Sequence, residues 1–337
     1  MPTRLLIIGT GGTIAGVAAQ PSQTVGYQAG ALPISALLEA IPGLSSLAQI
    51  ETEQPFSVAS EQMSSQHWLL LAERLREHLN APQPPNAIVI THGTDTLEET
   101  AFFLSLVLPS HAPILLTGAM RPATALNADG PGNVYNACRF ALAAHAAGIG
   151  GVFVSFGERV FRADQVMKVH ANEAEAFAPR FGAPVAWLAS GQPQWAENGH
   201  ASPLTVPSFE AVAQLPPVAL LEQHVDADAN LVSWCVAQGC RGIVLAGTGI
   251  GTMPVATREA LSRARRAGCL IVRSTRLPAG HVGRNTEAQA SDSDDARGFI
   301  VSGWLAPQKA RILLQLCLAA GITDDKDVQS CFDAFRP

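Results

Sequence analysis

The sequence predicts an α/β fold in two domains: a larger N-terminal domain with a mostly parallel sheet covered by helices on both faces, and a smaller C-terminal α/β domain. Three observations lead there. Short apolar runs alternate with stretches of helical periodicity in both halves of the chain. The alternation is interrupted once, by a polar, proline-containing stretch from about 190 to 217. A length of 337 residues exceeds what one ordinary core serves, and 47% hydrophobic content is enough to fill two.

Strand-like runs occupy 4–9, 86–91, 113–117 and 151–156. Each is short and largely apolar, the texture of a strand buried on both faces. Helical patterns fill the intervals. The segment 64–79 begins at a Ser64/Ser65 cap and carries Leu70, Leu71, Leu75 and Leu79 near helical spacing. The segment 96–108 follows a polar loop, with Thr96 and Glu99 spaced as a capping box. The segment 132–147 follows the breaker Gly130-Pro131-Gly132. Such alternation builds parallel sheets, because a parallel neighbour is reached only through a long crossover. Residues 1–192 are therefore expected to form the N-terminal, catalytic domain.

Ser190-Gly191-Gln192-Pro193 opens the change of texture and Pro216-Pro217 closes it, so 193–217 reads as an ordered linker whose short apolar runs pack against something. Alternation then resumes with strand 218–224, helix 229–238, strand 241–246, helix 256–267 and strand 269–274. A loop-rich segment and helices near 307–319 and 325–334 complete a C-terminal domain over 218–337.

Composition narrows the function class. Net charge is −6 and no run of Lys/Arg interleaves with aromatics, which argues against a nucleic-acid partner. No segment reaches the roughly 20 apolar residues of a spanning helix, so no membrane partner is expected. Met1-Pro2-Thr3 leads directly into a strand without a basic and apolar leader, and a cytoplasmic location is the corresponding expectation. The six cysteines (Cys138, Cys235, Cys240, Cys269, Cys317, Cys331) include no Cys-x-x-Cys pair and read as small hydrophobes.

Two polar motifs stand out. Gly9-Thr10-Gly11-Gly12-Thr13-Ile14-Ala15-Gly16 follows the first strand, where open α/β sheets bind ligands. A dinucleotide fingerprint from Gly9 would need a third glycine where Ile14 stands, and the following Gln20-Pro21 and Gly26 break any helix. Thr13 is either a hydroxyl that satisfies loop backbone or a reactive group. The flanking glycines favour the second, since they admit a ligand and leave N–H groups to meet a developing oxyanion.

The second motif, Thr91-His92-Gly93-Thr94-Asp95-Thr96-Leu97-Glu98-Glu99, runs from a buried strand into a helix. Thr96 and Glu99 are accounted for by capping; Thr94 and Asp95 are not. His92 has no second His or Cys at ligand spacing and reads as structural. A threonine hydroxyl needs a neighbour to accept its proton. Lys168, the only lysine before residue 193, lies in the apolar context Val166-Met167-Lys168-Val169. Buried near few charges, it could be that neighbour; an ordinary snorkelling lysine is the competing reading.

Together, Thr10–Gly16 and Thr91–Glu99 resemble the paired signatures of the bacterial-type L-asparaginases and glutaminase-asparaginases. Gly26-Tyr27-Gln28-Ala29-Gly30, Thr117-Gly118-Ala119-Met120-Arg121-Pro122, Ala128-Asp129-Gly130-Pro131, Arg273-Ser274-Thr275-Arg276 and Pro307-Gln308-Lys309-Ala310-Arg311 extend the resemblance over nearly the full length in the same order. The resemblance implies hydrolysis of L-asparagine through a threonine acyl-enzyme, with some activity on L-glutamine. No metal or organic cofactor is implied, and the small-molecule substrate is the expected partner. Thr13 would be the nucleophile, on a loop that also carries Tyr27. Thr94 and Lys168 would manage protons, Asp95 would bind the α-amino group and Ser60 the α-carboxylate. The Ala119 carbonyl would orient the substrate amide. Glu61 after the serine resembles the members that also accept glutamine.

The resemblance further implies a homotetramer, a dimer of intimate dimers. The family often has Asn or Ser where Thr252 stands, reaching the neighbouring subunit's site. It also brings an acid across from the partner, for which Asp292 and Glu287 are the candidates within 278–298. Two other functions compete. An ammonia-supplying subunit of a tRNA-dependent amidotransferase would be expected to carry an extra N-terminal region. A non-catalytic amino-acid sensor would not need Lys168.

Overall fold

The computed structural model describes residues 3–20, 22, 26, 28, 30–109, 111–197, 206–209, 211–284 and 292–336. Its contacts divide the chain into two units, Met1–Pro203 and Leu204–Pro337.

In the first unit the apolar runs become strands and the periodic segments become the crossovers between them. The order is β1 (Arg4–Gly9), α1 (Ile34–Glu39), β2 (Gln49–Glu53), α2 (Ser65–Leu79), β3 (Ala87–Thr91), α3 (Leu97–Val107), β4 (Pro113–Thr117), α4 (Gly130–Ala146) and β5 (Gly151–Phe156). Short strands follow: β6 (Arg159–Arg162), β7 (Val166–Lys168), β8 (Phe177–Pro179), β9 (Ala186–Ala189) and β10 (Gln192–Trp195). One sheet takes eight of these in the order β10-β9-β6-β5-β4-β3-β1-β2. It is parallel from β2 to β5, while β6, β9 and β10 add antiparallel hairpin strands at one edge. β10 carries the sheet into the stretch expected as linker. β7 and β8 pair only with each other, as an antiparallel ribbon outside the main sheet.

Alternating side chains of the central strands serve two faces. Leu5, Ile7, Val89, Leu115 and Phe153 pack with Ile34, Leu37 and Leu38 of α1 and with Val134, Ala137, Phe140 and Ala141 of α4. α3 packs against β4 and β5, with α2 outside it. Nearly every residue of α3 is buried, and Phe103 stacks on Trp68 of α2 at 5.2 Å between ring centroids. Each such aromatic, fully buried, contributes about 1.5–3 kcal/mol from removed apolar surface alone. The capping box expected at α3 is not formed. Thr96 adopts φ −125°, ψ 13° rather than an extended N-cap conformation, and its hydroxyl donates to the Ser60 carbonyl at 2.8 Å.

The order of the strands matters for function. β1 has β2 on one side and β3 on the other, so the chain reverses direction across the sheet between β1 and β3. Carboxyl ends of strands at such a switch point leave a crevice between their outgoing loops.

The second unit repeats the logic on a smaller scale. β11 (Val218–Glu222), α5 (Asn230–Ala237), β12 (Gly242–Gly247), α6 (Val255–Arg266), β13 (Leu270–Thr275), β14 (Phe299–Val301), α7 (Pro307–Ala319) and α8 (Asp325–Asp333) form a parallel sheet β11-β12-β13-β14 with helices. Ile243, Leu245 and Ile271 meet Val232 of α5 and Leu261 of α6 on one face, and α7 packs against β11, β12 and β13. Asp324 caps α8, its carboxylate accepting from the Lys326 and Asp327 N–H groups. Among the described residues no helix is long and apolar enough to cross a membrane.

A buried charge cluster ties the loops of this unit to its sheet. Asp294 lies 3.3 Å from Nε of Arg273 and 3.1 Å from Nε of Arg258, with Arg273 and Asp294 both buried. Arg273 also donates to the carbonyls of Ile250 and Gly283. Removing one partner of such a cluster leaves charge buried without compensation. Asp294→Ala is expected to lower stability by about 3–5 kcal/mol, read as a shifted denaturant midpoint.

Candidate active site

The loops leaving β1 and β3 are welded together at their first residues. Gly9 and Thr91 are register partners, and the Thr91 carbonyl accepts from both the N–H (3.1 Å) and the hydroxyl (2.9 Å) of Thr10. Two residues on, the backbones touch. A Cβ on Gly12 (φ 81°) would lie 2.3 Å from Gly93 Cα, and one on Gly93 would lie 2.6 Å from Ser60 Cβ. Three chain segments therefore converge where no added carbon fits. Gly12 N–H donates to the Val58 carbonyl at 2.9 Å and the Gly12 carbonyl accepts from Gly30 N–H at 3.0 Å. Gly12 N–H is thus committed to backbone. Thr13 opens a single 3₁₀ turn whose carbonyl accepts from Gly16 N–H at 2.8 Å.

Beyond this junction lies a cavity of about 700 Å³, all of whose lining residues belong to the first unit. Thr13, Ser60, Glu61, Thr94, Asp95 and Lys168 line it, joined by Met120, Arg121, Asn127 and Asn172. Lys168 Nζ donates to Thr94 Oγ1 at 2.9 Å and to Asp95 Oδ1 at 2.6 Å. The lysine was expected among few charges; instead it is ion-paired, because Thr94 and Asp95 are consecutive and both face it. The Thr94 side chain is buried, whereas that of Asp95 is 59% exposed and keeps an open side for a ligand. Ser60 Oγ accepts from Asp95 N–H at 3.2 Å, which leaves its own proton to donate. Glu61 is exposed at the same wall.

Ala119 does not line this cavity: the residue is fully buried, and its half-buried neighbour Met120 lines it instead. The turn around it is held by Asp129, whose two carboxylate oxygens accept from Met120 N–H (2.9 Å) and Arg121 N–H (3.0 Å). Asn133 adds a bond to the Gly118 carbonyl at 2.9 Å. Tyr27 and Glu287 lie outside the described residues. Thr252 is exposed in the loop after β12, its hydroxyl donating to the Thr248 carbonyl at 2.9 Å. Asp292 is exposed and paired with Arg297 at 2.5 Å. Among the described residues no group of three or more His, Cys, Asp or Glu side chains could hold a metal ion.

Two contributors were missed by sequence reasoning. Asp129 stood only as part of a motif before Gly-Pro-Gly. Glu98 was passed over as one acid of a helix start, yet its buried carboxylate accepts from the Lys168 backbone N–H at 2.6 Å. The available signal was a second acid beside Glu99 that capping did not require.

His92 sits behind the junction, buried in a chain of hydrogen bonds. Trp68 Nε1–H donates to Thr100 Oγ1 at 2.8 Å, and the Thr100 hydroxyl lies 3.0 Å from His92 Nε2. With Nδ1 at 2.7 Å from the Gly93 carbonyl, the consistent assignment puts the ring proton on Nδ1 and donates it there. Burial pushes the imidazole down to about 4, so the neutral ring is the native form. The folded value lies below the unfolded one. The stabilisation is therefore complete above the unfolded value and is lost as pH falls from about 6.5 toward 4. Between pH 7 and 4.5 the wild type is expected to lose about 2–3 kcal/mol more than His92→Gln, read from denaturant midpoints at each pH.

Comparison with known proteins agrees with this geometry. Residues 4–200 match the family described as "Asparaginase, N-terminal", and 217–332 match "Glutaminase/Asparaginase C-terminal domain". The chain is 36% identical over 334 residues to the probable periplasmic L-asparaginase of Haemophilus influenzae, covering 98% of this chain and 93% of that one. It is also 36% identical over 334 residues to the glutaminase-asparaginase of Acinetobacter glutaminasificans, covering 97% and 98%. The crystal structure of a probable cytoplasmic L-asparaginase from Campylobacter jejuni superposes with a TM-score of 0.89 at 35% identity, over 99% of this chain and 100% of that one. With both of its domains matched and its relatives aligned end to end, the chain belongs to the asparaginase family of amidohydrolases.

Proposed function

We propose that this enzyme hydrolyses the side-chain amide of L-asparagine to L-aspartate and ammonia through an acyl intermediate on Thr13, and that it accepts L-glutamine as a second substrate. One observation carries the reading: the Lys168–Thr94–Asp95 cluster, at 2.9 and 2.6 Å, opens on the same cavity as Thr13. A hydroxyl nucleophile, a proton-handling pair and a carboxylate for an ammonium are the parts that amide hydrolysis of a zwitterion needs.

The steps balance as follows. Thr13 Oγ bonds to the amide carbon as its proton leaves, and the C–N bond breaks as the nitrogen gains a proton and departs as ammonia. Water then attacks the ester, its oxygen staying with the product carboxylate, and Thr13 recovers its proton. The Thr94 hydroxyl, held by Lys168 Nζ at 2.9 Å, makes with the lysine a relay that carries the proton from the attacking group to the departing nitrogen. Tyr27 belongs with Thr13 in this scheme. Asp95 receives the substrate ammonium, in competition with Lys168, and the Ser60 hydroxyl donates to the α-carboxylate. Glu61 offers a second carboxylate to the ammonium, and the cavity volume has room for either substrate. The working assembly is a homotetramer, with Thr252 and an acid, Asp292 or Glu287, serving the neighbouring subunit's site.

Three variants test the assignment through ammonia release from asparagine and glutamine. Thr13→Ala is expected to lose about 10³-fold or more in kcat, with an unchanged circular dichroism spectrum; retained turnover would remove Thr13 as nucleophile. Lys168→Met is expected to lose about 10²–10⁴-fold, the range of a missing general acid–base, and near-normal turnover would reduce it to a packing residue. Ser60→Ala is expected to raise KM with little change in kcat, as for a group that only binds.

A further inference from the structure

The remaining question about the site is what places Lys168. Thr13 and the Thr94–Asp95 pair follow the carboxyl ends of β1 and β3, so the register of the main sheet sets their positions. Lys168 has no such support. It ends β7, three residues long, in a two-stranded ribbon outside that sheet, where its own partner is Phe177 of β8. The side chain is long and flexible, and it must deliver Nζ to one hydroxyl.

The geometry points to Glu98 as a positioning residue for this reaction, acting through Lys168. Its carboxylate Oε2 accepts from the Lys168 backbone N–H at 2.6 Å. Glu98 is buried in the first turn of α3, three residues after Asp95 and four after Thr94. One helix start therefore grips the lysine at both ends: Glu98 holds its backbone, while Thr94 and Asp95 hold its Nζ. The ribbon is thereby referenced to the element that carries the proton partner. When substrate ammonium engages Asp95, one of the two Nζ contacts is given up. The Glu98 bond lies behind the cavity wall and is untouched by that exchange, so it keeps Nζ aimed at Thr94 during turnover.

This inference rests on Lys168 acting as the proton-handling group. It predicts a defect in kcat rather than in binding, rescue by a neutral acceptor, and dependence on the lysine. Steady-state ammonia release from L-asparagine would be measured for Glu98→Ala, Glu98→Gln, Lys168→Met and the double variant Lys168→Met/Glu98→Ala, with Thr13→Ala as the background. Glu98→Ala is expected to lose about 100-fold in kcat with KM within about threefold. Glu98→Gln keeps a carbonyl to accept the N–H and is expected to stay within about fivefold of wild type. In the Lys168→Met protein, removing Glu98 is expected to cost less than about twofold more, since both changes then disable one device. Wild-type kcat in Glu98→Ala, an equal loss in the glutamine variant, or a full additional loss in the double variant would overturn the role of Glu98 alone. Near-normal turnover by Lys168→Met would overturn the reading of the lysine, and Glu98 with it. Should Glu98→Ala fail to fold, the glutamine variant alone decides, a loss beyond about tenfold counting against the proposal.

Discussion

The site depends on one steric constraint: the backbones leaving β1 and β3 must touch. Gly12 and Gly93 approach so closely that a carbon on either would meet main chain or Ser60 at under 3 Å. That approach cannot be made by side chains, because any side chain would hold the two loops apart. It brings the turn that carries Thr13, the loop that carries Thr94 and Asp95, and the turn that carries Ser60 to one point. Here the absence of a Cβ is what lets three segments share a cavity. The buried His92 chain stiffens the same place from behind, linking Trp68 of α2 and Thr100 of α3 to the Gly93 carbonyl. Protonating that imidazole would remove the acceptor that Thr100 meets and place a charge where nothing compensates it.

The electrostatics of the cavity follow from which groups are buried. Thr94 and Ser60 are enclosed, while Asp95 and Glu61 face outward. A free amino-acid amide enters as a zwitterion. In the proposed reaction its ammonium would meet the exposed carboxylate of Asp95 and its carboxylate the Ser60 hydroxyl proton, so charge would orient it before any group reacts. The Asp95–Lys168 pair serves the resting state, since an ion pair left half-made inside a protein is costly. In the proposed scheme Asp95 would have two partners in turn, Lys168 and the ammonium, its outer side being exposed.

Much of this was legible in the sequence, and the limits were physical. The strands at 4–9, 113–117 and 151–156 could be read because strands buried on both faces are apolar without interruption, and the structure returns β1, β4 and β5 at those bounds. The short strands β6 to β10 left no such trace: four residues such as Gln192–Trp195 have no period to detect. Thr13, Thr94, Asp95 and Lys168 were singled out by unspent chemistry, hydroxyls and charges that local structure did not explain. Glu98 escaped for the converse reason. A helix start explains acids cheaply, and nothing local reveals that one of them reaches a backbone N–H seventy residues away. The same local logic overpredicted the Thr96 cap, because the better partner of that hydroxyl, the Ser60 carbonyl, is thirty-six residues distant in sequence.

Those long-range bonds explain how the reactive side chains can be dispensable for folding while their neighbours are not. Thr13 is held in place by main-chain bonds at Gly12 and Gly16. Ser60, by contrast, offers its carbonyl to Thr96 and its hydroxyl to Asp95 N–H, and Asp129 holds two successive N–H groups of the Met120–Arg121 turn. Groups of this second kind, buried and committed to backbone of another segment, carry both a structural and a functional load. A change at Thr13 removes reactivity from an intact frame. A change at Asp129 removes part of the frame, leaving two half-buried donors to find new acceptors. The two classes separate by where the bonds run, not by distance from the reacting atoms. On the proposed role of Lys168, that places Glu98, which touches no substrate in this scheme, with the machinery through its bond to the Lys168 backbone.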